Sequence, residues 1–563
     1  MTAMGNWPDG QGLRGLNRIR LVMLGFVLCF ALIGTRLVHL AVLGPASEPV
    51  QRGEVEERLP RPDIVDRNGV VMATDITLPS LYADPRKILD VDEAVELLTG
   101  AIPDLKPREL HDKLTQKRSF VWLKRQITPG QKEIVHNLGI PGIGFRNETR
   151  RVYPMGRLAA HVLGYVDVDS HGLAGIEKFL DGRGALYTAS LADPANRAAM
   201  PATLSIDSRV QFAMTDELSK ALAEFKAVAA AGLVLDVHTG EVLAAASLPD
   251  FNPNDPKDAQ EKTRLNRFTG GVFELGSSVK TVTFAMALDA GATTLERSYD
   301  CRAPLVAGGA RIDDYHATRR ILTVPEIFTH SSNIGTAKMA LDVGLEGHQA
   351  FLRRIGFFDR LRTELPEAAE PLYPKHWGRV HTMTAAFGHG VSIQPLQLVA
   401  ATAATVNGGI LVEPTFLKRE PEAARSVSRR IVSAATSAEM RYLMKLNVDA
   451  GTGTKAAVLG YRVGGKTGSA EKVLGGRYSR DHRLTTFLAA FPINDPRYVV
   501  LVLLDEPQPS PETFGYATAG WNAAPATARV IQRIAPLLDV APVFAPDEAA
   551  KIAKQANAAI VGD

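Results

Sequence analysis

Three short groups hold the side chains best suited to covalent chemistry: Ser277-Ser278-Val279-Lys280, Ser331-Ser332-Asn333 and Lys466-Thr467-Gly468. Ser277 and Lys280 open the run GSSVKTVTFAMALDAG, in which Gly276 precedes an apolar helical pattern that closes at Gly291. Residues three apart share a helix face, so both side chains fall on one side of a first turn. A serine alcohol is a weak nucleophile that needs an adjacent base, and a helix N-terminus offers N–H groups and positive potential to an oxyanion. Each group has a bland reading of its own. Ser469-Ala470-Glu471-Lys472 repeats the first spacing, Ser331 and Asn333 suit helix-end capping, and Lys466 suits a solvated strand lysine. The ordered trio, with its second and third groups 54 and 189 residues beyond Ser277, points to acyl transfer through Ser277.

A competing pattern overlaps the third group. Gly460 to Thr467 reads GYRVGGKT, a literal phosphate-loop match, and VVLVLLDE at 499–506 imitates a magnesium-binding strand. A phosphate loop needs a helix directly after its Lys-Thr, whereas Gly468 follows here and Gly475-Gly476 break the next turns. It also needs parallel strands. LTTFLAAFP at 484–492 and RYVVLVLLDEP at 497–507 are joined by only four residues, which forces antiparallel pairing.

The elements that must position these residues can be read around them. The chain has 563 residues with 45% hydrophobic and 22% charged side chains, an ordinary globular composition that excludes a small disulfide scaffold or a disordered chain. Its net charge of +3 supplies no basic surface for nucleic acid. The excess belongs to the first 43 residues, where Arg14, Arg18, Arg20 and Arg36 face only Asp9. Leu21 to Leu43 is apolar and long enough, at about 1.5 Å per residue, to span a bilayer core. The upstream arginines set residues 1–20 in the cytoplasm. A cleaved signal peptide is the competing reading, opposed by Arg36, His39 and Pro45 around the only cleavage position. Cys29 lies within this span and Cys301 stands alone beyond it, so no disulfide joins two exported cysteines and Cys301 is expected to be buried.

Residues 44–205 carry many turn signals, including an Asn68-Gly69 hairpin, and predict a mainly β pedestal. A second domain, 206–540, opens with a helix capped at Asp207-Ser208. Hairpins at 231–249 and 484–507 enclose a largely helical stretch from 275 to 450, an α+β arrangement. Residues 541–563 form an Ala-rich tail.

With RPDIVDRNGVVMA, RRVYPMGRLAAHVLGYV, LDVHTGEVLAAASLPDFNPND, LNRFTGGVFELGSSVK, THSSNIG, FGHGVSIQPLQL, GGKTGSAEK and AAPATARV in order, the chain resembles class B penicillin-binding proteins, and most of all their septal, division-specific type. The resemblance implies an antiparallel five-stranded sheet flanked by helices with a helical subdomain, behind a pedestal and a single inner-membrane anchor. It implies a serine D,D-transpeptidase that cross-links peptidoglycan stem peptides and is trapped by β-lactams, with no cofactor and no metal. Ser277 is then the nucleophile, Lys280 its base, Ser331 a proton relay and Asn333 a hold on the donor amide. Backbone N–H groups of Ser277 and Ser469 form the oxyanion hole, and Lys466, Thr467 and Gly468 belong to the strand that receives the donor carboxylate. Implied partners are a SEDS-family glycosyltransferase and other division proteins, with the catalytic domain in the periplasm at the septum. Leu275 and Thr281 replace prolines usual in the family, Ser469 replaces a frequent threonine, and Ser332 differs from the aspartate of the S-D-N form while resembling the usual division-enzyme sequence; these changes put fine geometry in question. An elongation-type enzyme, a β-lactamase, a β-lactam sensor and an inactive division scaffold are the alternatives.

Overall fold

The computed structural model describes residues 22–36, 61–189 and 201–544. Residues up to Pro60 form one unit and Arg61 onward another. In the first unit, residues 22–36 are helical with exposed apolar side chains. The rest of the expected span, Leu21 and residues 37–43, lies outside the described residues, and no described helix is long and apolar enough to cross a membrane. The tail beyond Phe544 also lies outside them.

The second unit opens with strands β1 (Ile64–Val65), β2 (Val71–Ala83), β3 (Val121–Lys124), β4 (Ile143–Val152) and β5 (Ala202–Thr203). The Asn68-Gly69 turn joins β1 to β2 as expected, with Gly69 at φ +85° and the Asp66 carboxylate accepting the N–H groups of Asn68 and Val70. The expectation of a mainly β pedestal is corrected, because helices Val91–Ala101, Pro107–Leu114 and Pro129–Asn137 stand against the sheet. They bury only Leu98, Leu110, Leu114 and Val135, with a few smaller neighbours, on Leu81, Ala83 and Leu123. Helices this short, each anchored by one or two large apolar residues, leave no sustained 3.6-residue period in the sequence.

A buried ion network closes the base of this region. The Arg151 guanidinium donates to Glu177 at 2.7 Å and to Asp75 at 3.1 Å, while Arg61 Nε donates to the other Glu177 oxygen at 2.8 Å. The side chains of Arg151 and Glu177 are both 0% exposed. Burying charge costs several kcal/mol per ion unless it is paired, so removing one partner is far worse than never having had the pair. Glu177→Ala is expected to lower unfolding stability by about 3–5 kcal/mol, read from a denaturant midpoint.

The catalytic region is built on α1 (Ser208–Glu224), β6 (Ala229–Asp236), β7 (Val242–Leu248), α2 (Lys280–Asp289), α3 (Asn333–Val343), α4 (Pro395–Val406), α5 (Ala434–Ala450), β8 (Gly464–Leu474), β9 (Arg477–Phe491), β10 (Tyr498–Asp505) and α6 (Ala523–Leu537). Asp207 caps α1 through the Arg209 N–H. Five antiparallel strands run in the order β8-β9-β10-β6-β7. In β10, Val499, Leu501 and Leu503 enter the core shared with α2, α4 and α5, while Val500, Val502 and Leu504 enter the core shared with α1 and α6. Both faces are covered, which is why its sequence is a continuous apolar run instead of an alternation. Lys466 and Thr467 lie inside β8, so the helix a phosphate loop requires is absent there and the nucleotide reading falls. β8 is also the outer strand, with one edge free of β partners among the described residues.

Candidate active site

Ser277 sits on a 3₁₀ turn, Gly276–Val279, that feeds directly into α2. The expected first turn of an α-helix is thus a tighter one. Nearly all of α2 is buried, so this turn is fixed from below. Ser278 adds a buried hydrogen bond between its hydroxyl and that of Thr486 on β9, at 2.8 Å. Ser277 itself remains half-exposed.

Close backbone approach sets the rest of the wall. A Cβ on Gly468 would lie 2.4 Å from Ser278 Oγ, 2.4 Å from Thr486 Oγ1 and 2.7 Å from the Leu275 carbonyl. Gly388, at φ +82°, would meet the Gly276 carbonyl at 2.2 Å. These glycines let the edge strand and the 387–390 loop close directly on the serine turn.

Lys280 and Lys466 are both 0% exposed. Lys280 Nζ donates to the Ser331 carbonyl at 2.5 Å and to Asn333 Oδ1 at 2.8 Å, and lies 3.2 Å from Ser331 Oγ. Lys466 Nζ donates to the same Ser331 Oγ at 2.9 Å and to the Thr467 carbonyl at 3.1 Å. Every one of these partners is uncharged. Burial pushes Lys280 well below the ordinary lysine range, the neighbouring Lys466 cation pushes it further, and Asp314 opposes both. Burial alone brings Lys466 down to about 7. A neutral lysine has two N–H donors and one lone pair. A neutral Lys280 donates to two of the three oxygens that Nζ meets, the Ser331 carbonyl, Asn333 Oδ1 and Ser331 Oγ, and turns its lone pair to the third.

Ser331 holds this position in left-handed backbone, at φ +57°. Such strain persists where surrounding contacts over-determine it. The capping expected of this group is performed by Ser332, whose hydroxyl accepts the Gly335 N–H at the start of α3. Asp314, which nothing in its spacing singled out, organises the segment: its carboxylate accepts the N–H groups of Asn333 at 2.6 Å and Ile334 at 3.0 Å and the Ser332 hydroxyl at 2.8 Å. Asn333 Nδ2 donates to the Asp313 carbonyl. Thr467 shares a 2.7 Å hydrogen bond with Thr452, and the Ser469 hydroxyl accepts the Ala519 N–H at 3.1 Å. Cys301 is buried, as expected, within 3.5 Å of the Ser332 hydroxyl. All eight residues singled out by the sequence therefore belong to one region, with Gly468 and Ser469 packed against Gly276–Val279. Beyond Asp314, Glu274 and His389 stand at its edge without having been singled out.

Comparison with known proteins agrees with this geometry. Residues 230–532 match the penicillin-binding protein transpeptidase domain, and residues 57–182 match the penicillin-binding protein dimerisation domain. The chain belongs to the class B penicillin-binding proteins. Among similar members of the family, the probable peptidoglycan D,D-transpeptidase FtsI of Caulobacter vibrioides is 41% identical, over 93% of this chain and 89% of its own. The probable peptidoglycan D,D-transpeptidase PenA of Neisseria gonorrhoeae is 35% identical, over 79% of this chain and 80% of its own. The peptidoglycan D,D-transpeptidase FtsI of Escherichia coli K12 is 31% identical, over 79% of each chain.

Two outcomes follow for a penicillin-binding protein built this way. Gly468→Ala must displace β8 from the serine turn and is expected to slow penicillin acylation by about 100-fold, since misplacement of about 1 Å costs that much; stopped-flow fluorescence reads it. Asp314→Asn keeps an acceptor oxygen but removes the negative charge that raises Lys280. The lysine then stays neutral to lower pH, so the acid limb of the acylation profile is expected to move to lower pH.

Proposed function

We propose that this chain is the septal peptidoglycan D,D-transpeptidase of its cell, working through a Ser277 acyl-enzyme. The observation that carries the reading is the convergence of two buried lysines on Ser331 beside a half-exposed serine. In the first half-reaction, Ser277 Oγ attacks the carbonyl of the penultimate D-alanine and its proton passes to neutral Lys280. Backbone N–H groups of Ser277 and Ser469 receive the oxyanion, which is worth most in a water-poor site. Ser331, held by Lys280 and Lys466, returns a proton to the departing D-alanine nitrogen. Asn333 orients the donor amide, and Lys466 with Thr467 and Gly468 engages its terminal carboxylate. An amine of a second stem peptide then takes the acyl group. β-Lactams acylate the same serine and leave no departing group to clear the way for that amine.

The chain divides, in this reading, into a cytoplasmic tail (1–20), a membrane helix (21–43), a pedestal (44–205), the transpeptidase domain (206–540) and a C-terminal tail (541–563). The arginine-flanked apolar run supports a single-pass inner-membrane anchor with a cytoplasmic N-terminus and a periplasmic catalytic domain. The names of the FtsI relatives support the septal assignment. A SEDS-family glycosyltransferase and other division proteins are the partners in this reading.

A fluorescent penicillin is expected to label the intact protein covalently and to leave Ser277→Ala unlabelled on a denaturing gel. Lys280→Ala is expected to label about 10²–10⁴-fold more slowly, the usual contribution of a positioned base. Persistent labelling of Ser277→Ala would refute the nucleophile.

A further inference from the structure

Glu274 lies three residues before Ser277, half-buried, and its hydrogen-bond partners are all neutral. Its carboxylate accepts the Gly390 N–H at 2.8 Å and the Tyr478 hydroxyl at 3.1 Å. Two donors leave about half of a carboxylate's four lone-pair sites open. Its partners are tied to the serine turn: Gly388, two residues before Gly390, packs directly on Gly276, and the His389 ring lies edge-on to Tyr478 with centroids 5.5 Å apart. Tyr478 comes from the tip of the β8–β9 hairpin, beyond a bulge where Glu471 pairs with Arg483 but Lys472 pairs with Ser479. Lys472, the cation at that bulge, is already paired with Asp505 and Glu506. A partly desolvated carboxylate without a cation is costly, and burial raises Glu274 above the ordinary carboxylate range. Glu471 is a second acid felt by the Tyr478 hydroxyl, so two carboxylates act on this end of the site.

We infer that Glu274 is the recognition residue for the incoming acceptor: it binds the ammonium form of the primary amine and takes its first proton. This rests on the transpeptidase reading above. The ammonium gives one proton to the Glu274 carboxylate, and the freed nitrogen pair attacks the acyl carbon. The bond from that carbon to Ser277 Oγ breaks with its electron pair on oxygen. The second nitrogen proton passes through Lys280 to Oγ, restoring the hydroxyl, and Glu274 releases its proton to solvent. Gly390 and Tyr478 orient the carboxylate.

The test compares two acceptors on one acyl-enzyme, formed by the purified full chain from a benzoyl-D-alanyl thioester. D-Alaninamide is largely cationic at neutral pH and hydroxylamine is uncharged. Glu274→Gln is expected to remain labelled by penicillin while its aminolysis-to-hydrolysis ratio with D-alaninamide falls about tenfold, the loss of one charge-assisted hydrogen bond, and its ratio with hydroxylamine holds. An unchanged D-alaninamide ratio, or an equal fall with both acceptors, would overturn the inference. Tyr478→Phe keeps the carboxylate but removes one of the two donors that orient it, and is expected to lower the D-alaninamide ratio by less than Glu274→Gln does; a loss as large would assign the effect to the hairpin instead. A measurement on the unaltered protein stands apart from any folding defect: raising salt from about 0.05 to about 0.5 M should weaken the D-alaninamide reaction and spare hydroxylamine, and equal sensitivity would count against Glu274. Failure of the unaltered protein to label with penicillin would refute the transpeptidase reading itself, whichever way the acceptor ratios fall.

Discussion

Two lysines buried around one serine hydroxyl each disfavour the other's charge. Their nitrogens lie 3.2 and 2.9 Å from Ser331 Oγ, so they are at most about 6 Å apart. At an effective dielectric near 20, two positive charges at that distance repel by about 3 kcal/mol. That equals about two pKa units, before either ion's desolvation is counted. Burial and the neighbouring Lys466 thus hold Lys280 below the ordinary lysine range, which is the condition the proposed base role requires.

The other features of the site protect that arrangement. The buried helix α2 fixes Lys280, and the doubly covered sheet fixes Lys466 on its edge strand. Asp314 holds the Ser331 segment through two backbone N–H groups and the Ser332 hydroxyl, and its own charge limits how far Lys280 falls. Gly276, Gly388 and Gly468 remove the side-chain thickness that would separate these parts. The strained backbone of Ser331 is the local cost of bringing its hydroxyl between two amines.

Much of this was legible in the residues. Short connections declared the antiparallel hairpins, and the ordered trio located every lysine and serine of the cluster. What stayed hidden has physical causes. Asp314 acts through backbone N–H groups, which leave no spacing rule between it and Asn333. The pedestal helices bury too few large residues to sustain a period. Glu274 and Tyr478 meet only because a bulge redirects a hairpin 204 residues downstream. Burial of Lys466 likewise depends on neighbours far away in sequence, since a strand lysine reads as solvated until its surroundings are known.

The central claim, that Lys280 is neutral at rest, is tested most directly by the pH dependence of penicillin acylation of the unaltered protein. Folding lowers the lysine below its ordinary value, so the active form persists down to the lowered value and is lost as pH falls through it. The account predicts an acid limb well below the usual lysine value of about 10.4, with the rate at its plateau before that value is reached. A rate that keeps climbing tenfold per pH unit up to that value would show an ordinary ammonium at Lys280 and contradict the account.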